Sequence, residues 1–282
     1  MFTLPYVDPI DYLIFGHLTK DLTPTGPQMG GTASFSALTA QALGLRVGII
    51  TSCDPGLDRS RLNDIQVIIK PSDVSTTFEN VYTPNGRIQY TYSQAPILDT
   101  TLIPDLWKDT PIVHLGPIAQ ETDPALSRAF PNSMLGLTLQ GWLREWDEKG
   151  RVSPSDWPEA RYVLGNADVA VLSIEDVQGD EVRIEEMASA IKLLVVTEGA
   201  NGARVFWNGD VKHFSPPHMV ELDATGAGDI FAAAYFFRYQ ATHDPWEAAR
   251  FATNLAAHSV TRSGLDSIPT RSEIQACLVE VI

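Results

Sequence analysis

The sequence predicts an α/β fold, a mostly parallel sheet with helices on both faces, and three observations carry that prediction. Short apolar runs of strand length recur along the chain: Tyr12 to Phe15, Arg46 to Thr51, Ile112 to Leu115, Met134 to Leu139, Val169 to Leu172 and Leu193 to Thr197. They read as near-continuous apolar stretches, the pattern of strands covered on both sides. Helical or turn material stands beside each run, as the crossover between parallel strands requires. With 282 residues, 44% of them hydrophobic and 20% charged, the chain can bury one large core, and no internal repeat or low-complexity linker divides it into equal halves.

In chain order, Tyr12 to Phe15 closes on Gly16, an Ala-rich helical stretch runs from Thr32 to Leu43 with Gly44 as its stop, and Arg46 begins the next strand. That is a strand, helix, strand order. One stretch breaks the rhythm. Thr76 to Tyr82 and Arg87 to Tyr92 are rich in Thr, Tyr and Val, and Thr83-Pro84-Asn85-Gly86 between them supplies turn chemistry, so a hairpin is expected. Phe78 and Tyr82 on one arm and Ile88, Tyr90 and Tyr92 on the other fall on alternate positions, which predicts one apolar face laid either on the protein's own core or on a partner or ligand cleft. Near the end, Ala227 to Tyr239, Pro245 to Arg262 and Arg271 to Val281 read as helices, the last entered through Thr270-Arg271-Ser272-Glu273 at capping-box spacing.

Charge and composition exclude several classes. The 35 acidic residues outweigh 20 basic ones, a formal charge of −15 that repels nucleic acid and anionic lipid. A phosphate-bearing small ligand stays admissible, because backbone N–H groups at a helix start bind anions locally. Cys53 and Cys277 are isolated, which gives neither a disulfide framework nor a zinc site and fits a reducing cytoplasm. The six His residues show no metal-ligand spacing. Met1 to Phe15 carries Asp8 and Asp11 and no Lys or Arg, unlike a secretory signal, and no apolar run approaches the roughly 18 residues of a membrane span.

The chemistry concentrates in Asp223-Ala224-Thr225-Gly226-Ala227-Gly228-Asp229, followed directly by the apolar helix. Small residues at a helix start let backbone approach a ligand closely and turn the unpaired amides of the first turn toward it. Such a cup stabilises a phosphoryl group in transit. A carboxylate beside it would repel a phosphate that was merely bound, whereas it suits a base that takes the proton of an attacking hydroxyl. An isolated Gly-x-Gly-Asp would instead be read as a first-turn acid complementing the helix dipole.

This segment closely resembles the Asp-Thr-x-Gly-Ala-Gly-Asp signature of the ribokinase/PfkB carbohydrate kinase family, with Ala224 in place of the second-position Thr. The resemblance extends over nearly the whole chain. It implies Asp229 as catalytic base, with the amides of Gly226, Ala227 and Gly228 as anion hole. Gly16-His17-Leu18-Thr19-Lys20-Asp21 looks like the family's opening strand and turn, which implies Asp21 as the carboxylate that binds substrate hydroxyls. Gly30-Gly31 resembles the segment where backbone meets substrate, and Phe35 stands where the family often has Asn, which implies a less polar pocket wall.

Further along, Val195-Val196-Thr197-Glu198-Gly199-Ala200-Asn201-Gly202 looks like the family's nucleotide-lining strand and turn, which implies Thr197, Gly199 and Gly202, together with Thr225, at the ATP site. The family's magnesium-organising Asn-x-x-Glu falls on Ser173-Ile174-Glu175-Asp176, so Asp176 is carried over, with Glu175 as a substitute carboxylate. In Gln140-Gly141-Trp142-Leu143-Arg144, Gln140 corresponds to a polar group near the substrate and Arg144 to a cation near the donor phosphates; Asn254 sits one place off the adenine-contacting register. No Gly-x-x-x-x-Gly-Lys-Ser/Thr occurs, which excludes a P-loop kinase, and Phe231 occupies the third Gly position of a dinucleotide fingerprint.

The resemblance therefore implies a ribokinase-like three-layer α/β/α sandwich with residues 1–17, 30–73 and 98–282 as core and 18–29 and 74–97 as a β lid that shields the reaction from water. It implies transfer of the γ-phosphoryl group of MgATP to a hydroxyl of a sugar, a nucleoside or a cyclic polyol, and it makes a homodimer through the lid an expectation. Dependence on a monovalent cation stays open. A non-catalytic ligand-binding module that kept the fold is the rival, motivated by Phe35 and the altered magnesium motif; a nicotinamide-dependent oxidoreductase is the weaker one.

Overall fold

The computed structural model describes residues 5–83 and 86–279. In chain order the strands and helices are β1 (Tyr12–Phe15), β2 (Thr19–Leu22), β3 (Gln28–Gly30), α1 (Thr32–Ala42), β4 (Val47–Cys53), β5 (Gln66–Pro71), β6 (Thr77–Thr83) and β7 (Gly86–Ser93). Then come β8 (Ile112–Leu115), β9 (Met134–Thr138), β10 (Arg144–Trp146), β11 (Val152–Pro154), α2 (Ala160–Leu164), β12 (Val169–Ser173), α3 (Glu181–Ala190) and β13 (Leu193–Thr197). The chain continues through β14 (Ala203–Trp207), β15 (Asp210–Phe214), α4 (Ala227–Thr242), α5 (Pro245–Ser259) and α6 (Arg271–Val279).

Nine strands form the main sheet in the order β15-β14-β13-β12-β9-β8-β1-β4-β5. Pairing is parallel from β5 to β13, and β14 and β15 close that edge antiparallel. Alternate residues of one strand feed two separate cores, which is what a sheet covered on both faces requires. Tyr12 and Ile14 of β1 pack with α1, α4, α5 and α6, while Leu13 and Phe15 pack with α2, α3 and the 98–130 segment. The apolar runs read from the sequence are thus β1, β4, β8, β9, β12 and β13.

Register places the carboxyl ends side by side: Phe15 lies opposite Ile50 and Leu115, and Leu115 opposite Leu137. The turns after these strands share one rim, where open parallel sheets bind ligands. The close approach of strand ends there needs Gly16, since a Cβ at that position would meet Gly116 O at 2.5 Å.

A second, four-stranded sheet, β3-β2-β6-β7, stands above that rim. Its side-chain directions differ from the expected single apolar face. Phe78 pairs with Thr91 and Glu79 with Tyr90, so Phe78 and Tyr90 point to opposite sides. Phe78 is buried against Ile118 and Ala119, whereas Tyr92 is 56% exposed and donates to Glu79 across the outer face. A same-face reading of both arms requires a register one residue away. The Pro84-Asn85 turn and the Tyr82 side chain lie outside the described residues. The outer margin of β7 is capped by the β10–β11 hairpin, with Thr91 N–H donating to Gly150 O at 2.7 Å and Tyr90 bridged to Arg151.

The expected cap of α6 forms: Thr270 N–H donates to Glu273 Oε2 at 2.7 Å and Glu273 N–H to Thr270 Oγ1 at 3.3 Å. Among the described residues no helix is long and apolar enough to cross a membrane.

Candidate active site

The α4 N-terminus is built by its small residues. Gly226 is the N-cap in the left-handed region, φ 81°, and a Cβ there would lie 2.2 Å from Phe35 Cδ1. Gly228 faces open space. Ile230 N–H makes a helical bond to Gly226 O at 2.9 Å, so the Gly228 and Asp229 amides lie ahead of the helix's own ladder. The Ala227 amide is used locally, donating to Ala224 O at 3.2 Å. Asp223 clasps the loop from below, its Oδ1 accepting Thr225 N–H at 2.9 Å and its Oδ2 accepting Gly264 N–H at 3.2 Å.

Asp229 occupies the first turn of α4. Part of the residue stays open, but its carboxyl group is enclosed by protein, and for the proton the enclosure decides. Burial pushes its pKa up to about 6; the Thr32 hydroxyl and the charge of Arg144 pull it down, while the fields of Asp176 and Asp21 add to the rise. Thr32 opens α1, and Ser36 one turn later donates to Asp229 O at 3.2 Å. The two helices pack on each other and both bury small side chains in the same core, Ala33 and Ala37 on one and Ala232 and Ala233 on the other, which lets α1 brace the start of α4.

Asp21 stands on β2 with its carboxyl also raised to about 6 by burial, against the Thr19 hydroxyl that bonds it at 2.8 Å. Gly30 exists for this side chain, since a Cβ at Gly30 would fall 2.0 Å from Asp21 Oδ2. Gly31, φ 85°, leaves no room either, since a Cβ there would meet His17 O at 2.7 Å. Phe35 is only 2% exposed and supports the Gly226 turn, so it stands behind the pocket wall expected of it.

On the opposite side, Ser173 and Asp176 form a reciprocal capping box, with Asp176 Oδ2 accepting Ser173 N–H at 2.8 Å. The two departures from the family motif thus fit each other. Asp176 is raised by burial, with Arg144 and Gln140 among the groups that lower it, and Gln140 Nε2 donates to its Oδ1 at 3.4 Å. Glu175 is exposed on the same turn. Arg144 is 9% exposed and reaches both Asp176 and Asp229 with its charge. The structure thereby brings Asp21, Asp176, Asp229, Gln140 and Arg144 into one electrostatically coupled cluster at the sheet rim.

The remaining candidates line the flank. Thr197 ends β13, its hydroxyl on Leu172 O at 3.3 Å. Gly199, φ 57°, opens the turn toward solvent, while Gly202, φ 98°, serves packing, since a Cβ there would meet Phe214 O at 1.9 Å. Asn254 is half-buried on α5, the helix that packs on β14 and β15.

Sequence reading missed three contributors. Thr32 and Gln89 touch Asp229 and Arg144 respectively. Glu121 is fully buried and accepts backbone N–H groups from His17 at 2.9 Å, Ile118 at 2.9 Å and Ala119 at 2.6 Å. It ties the turn leading to Asp21 to the loop under Arg144, whose Nη1 donates to Ile118 O at 3.4 Å. A first helical residue after Gly-Gly was a readable signal for Thr32; an acid in a Gln-Glu-Thr loop carried none.

Residues 157–271 match the model of the pfkB family carbohydrate kinases. The fructokinase of Escherichia coli is 28% identical over 217 residues, 68% of this chain and 69% of that one. An inositol 3-kinase of Zea mays is 34% identical over 99 residues, 34% of this chain and 25% of that one. A solved pyrophosphate-dependent kinase of the ribokinase family, complexed with a pyrophosphate analogue and myo-inositol, shares the fold at TM-score 0.78 and 22% identity, covering 94% of this chain and 99% of that one. The chain thus matches the pfkB family carbohydrate kinases over its C-terminal segment, has sugar and inositol kinases among its relatives, and shares the fold of a ribokinase-family kinase along its length.

Proposed function

We propose that this protein transfers the γ-phosphoryl group of ATP to a hydroxyl of a sugar or sugar-like cyclic polyol, with Asp229 as general base. The observation that carries the reading is the enclosed Asp229 carboxyl beside the amides of Gly228 and its own backbone at the α4 start, within the field of Asp21. Asp21 accepts hydrogen bonds from acceptor hydroxyls and orients one of them toward Asp229. Asp229 takes that hydroxyl's proton as the oxygen attacks the γ-phosphorus; the bond to the bridging oxygen breaks, and ADP leaves with the electron pair. The amides at the α4 start and the guanidinium of Arg144 stabilise the transferring oxygens. The small sheet serves as a lid that keeps water out.

Among the described residues no group of three or more His, Cys, Asp or Glu side chains is gathered to cage a metal. That suits a hard divalent cation held largely by phosphates and water, and Asp176, whose field now raises Asp229, is the residue to contact it. Magnesium, when bound with the donor, neutralises phosphate charge. The 197–202 turn, Thr225 and Asn254 flank the nucleotide. The isolated cysteines fit a cytoplasmic setting.

The experiment is a panel of donors, ATP and pyrophosphate, against fructose, ribose, nucleosides and inositols, with detection of the phosphomonoester. Asp229→Asn is expected to fold and bind while turnover drops by about 10²-fold or more. Near-normal turnover in that variant removes Asp229 from the role, and stabilisation by ligands with no product from the natural chain identifies a binding module instead.

A further inference from the structure

We infer that Gln89 is a positioning residue for Arg144, so that the small sheet governs the donor-phosphate side of the reaction as well as the acceptor side; the inference rests on the phosphotransfer reading above. Strand register puts Asn80 opposite Gln89 on the face that also carries Phe78, the face turned to the protein interior. Gln89 Nε2 donates to Asn80 Oδ1 at 3.0 Å, and its Oε1 accepts from Arg144 Nη1 at 3.0 Å. The amide has a single sensible orientation, because the reverse would set its NH₂ against a guanidinium that has only donors.

The chemistry of the pairing matters more than its strength. A carboxylate at position 89 would hold the guanidinium equally well and cancel its charge. A neutral amide orients it and leaves the positive charge available to an incoming phosphate. From the core side Arg144 is fixed by Ile118 O at 3.4 Å and by Gln120, whose Nε2 donates to Arg144 O at 2.6 Å. The guanidinium therefore sits between two bodies, and the seating of β7 is among the things that aim it. Its charge is felt by both Asp176 and Asp229, so it stands between the donor side and the base.

The test compares the natural chain with Gln89→Glu, which keeps shape and the bond accepted from Arg144 but loses the donor to Asn80 and adds a charge, and Gln89→Met, which keeps length and removes both bonds. Calorimetry reads binding of ATP and of pyrophosphate with magnesium, and acceptor binding is read with fructose and myo-inositol. Gln89→Glu is expected to weaken the donor that the natural chain binds by about tenfold, Gln89→Met by less, with acceptor affinity held within about twofold. Donor affinity unchanged in both variants, an equal loss on both sides, or a natural chain that binds neither donor overturns the inference. A natural chain that binds a donor but phosphorylates nothing in the panel sinks the kinase reading alone and leaves the Gln89 comparison readable.

Discussion

The ring of Phe35 lies where a Cβ on Gly226 would have to be, 2.2 Å from its Cδ1, so α1 fixes the backbone turn from which α4 starts. Gly226→Ala meets two penalties at once, a side chain at φ 81° and the collision with Phe35. Stability is expected to fall by about 1–3 kcal/mol, with turnover lost along with the amide geometry. Urea unfolding and product formation on the same sample check this, and unchanged values in both would refute it.

The carboxyls of Asp229 and Asp21, each raised to about 6 by burial, set a pH dependence with a definite sign. A general base works deprotonated, so kcat/KM is expected to rise through pH 6 and then level. Thr32→Val removes a hydroxyl that lowers the Asp229 pKa, so the rising limb should move to higher pH. An unmoved limb would detach Thr32 from Asp229.

Stability runs the other way. Between an unfolded carboxyl at its ordinary pKa and the folded value near 6, the folded chain holds more protons, so ionising Asp229 costs stability as pH rises through that window. Asp229→Asn is therefore expected to raise Tm at pH 8 and to leave it nearly unchanged at pH 4. A lower Tm at pH 8 would contradict the enclosure of that carboxyl.

Asp176 and Glu175 are adjacent, yet only Asp176 turns toward Gln140 and Arg144. Asp176→Asn is expected to raise the magnesium concentration for half-maximal activity by about tenfold, and Glu175→Gln to leave it where it was. A magnesium titration of both variants decides, and the reverse order would reassign the carboxylate.

Glu121→Gln sets an NH₂ group against three converging backbone N–H donors in a fully buried position. A loss of about 3 kcal/mol is expected, measured by denaturant unfolding, since charge-assisted bonds go and donors are left unpaired. A change under about 0.5 kcal/mol would mean that the joint between the Asp21 turn and the Arg144 loop is held by other contacts.

The sheet was legible where strands are buried on both faces, because such strands need near-continuous apolar residues and β1, β12 and β13 show them. β5 was missed because Gln66 and Lys70 interrupt the run at the sheet's edge, where side chains reach water. The β14–β15 hairpin had a readable turn, Asn208-Gly209, whose φ values of 52° and 85° suit the two-residue connection it makes. Around the candidate site, Asp229, Asp21 and Gly30 are recognisable because each sits in a short local motif that resembles a family signature. Gln89 and Glu121 were not, because their partners lie 55 residues and up to 104 residues away and nothing local marks them.

Edge capping also bears on how two copies could meet. Gly150 and Arg151 already occupy the outer margin of β7, so a second chain cannot extend this sheet by adding a strand there. On the β7 side, association through the small sheet would be flat, using the stacked rings of Tyr90 and Tyr92 as the meeting surface, and would leave the hydrogen-bond ladders of the two copies separate there.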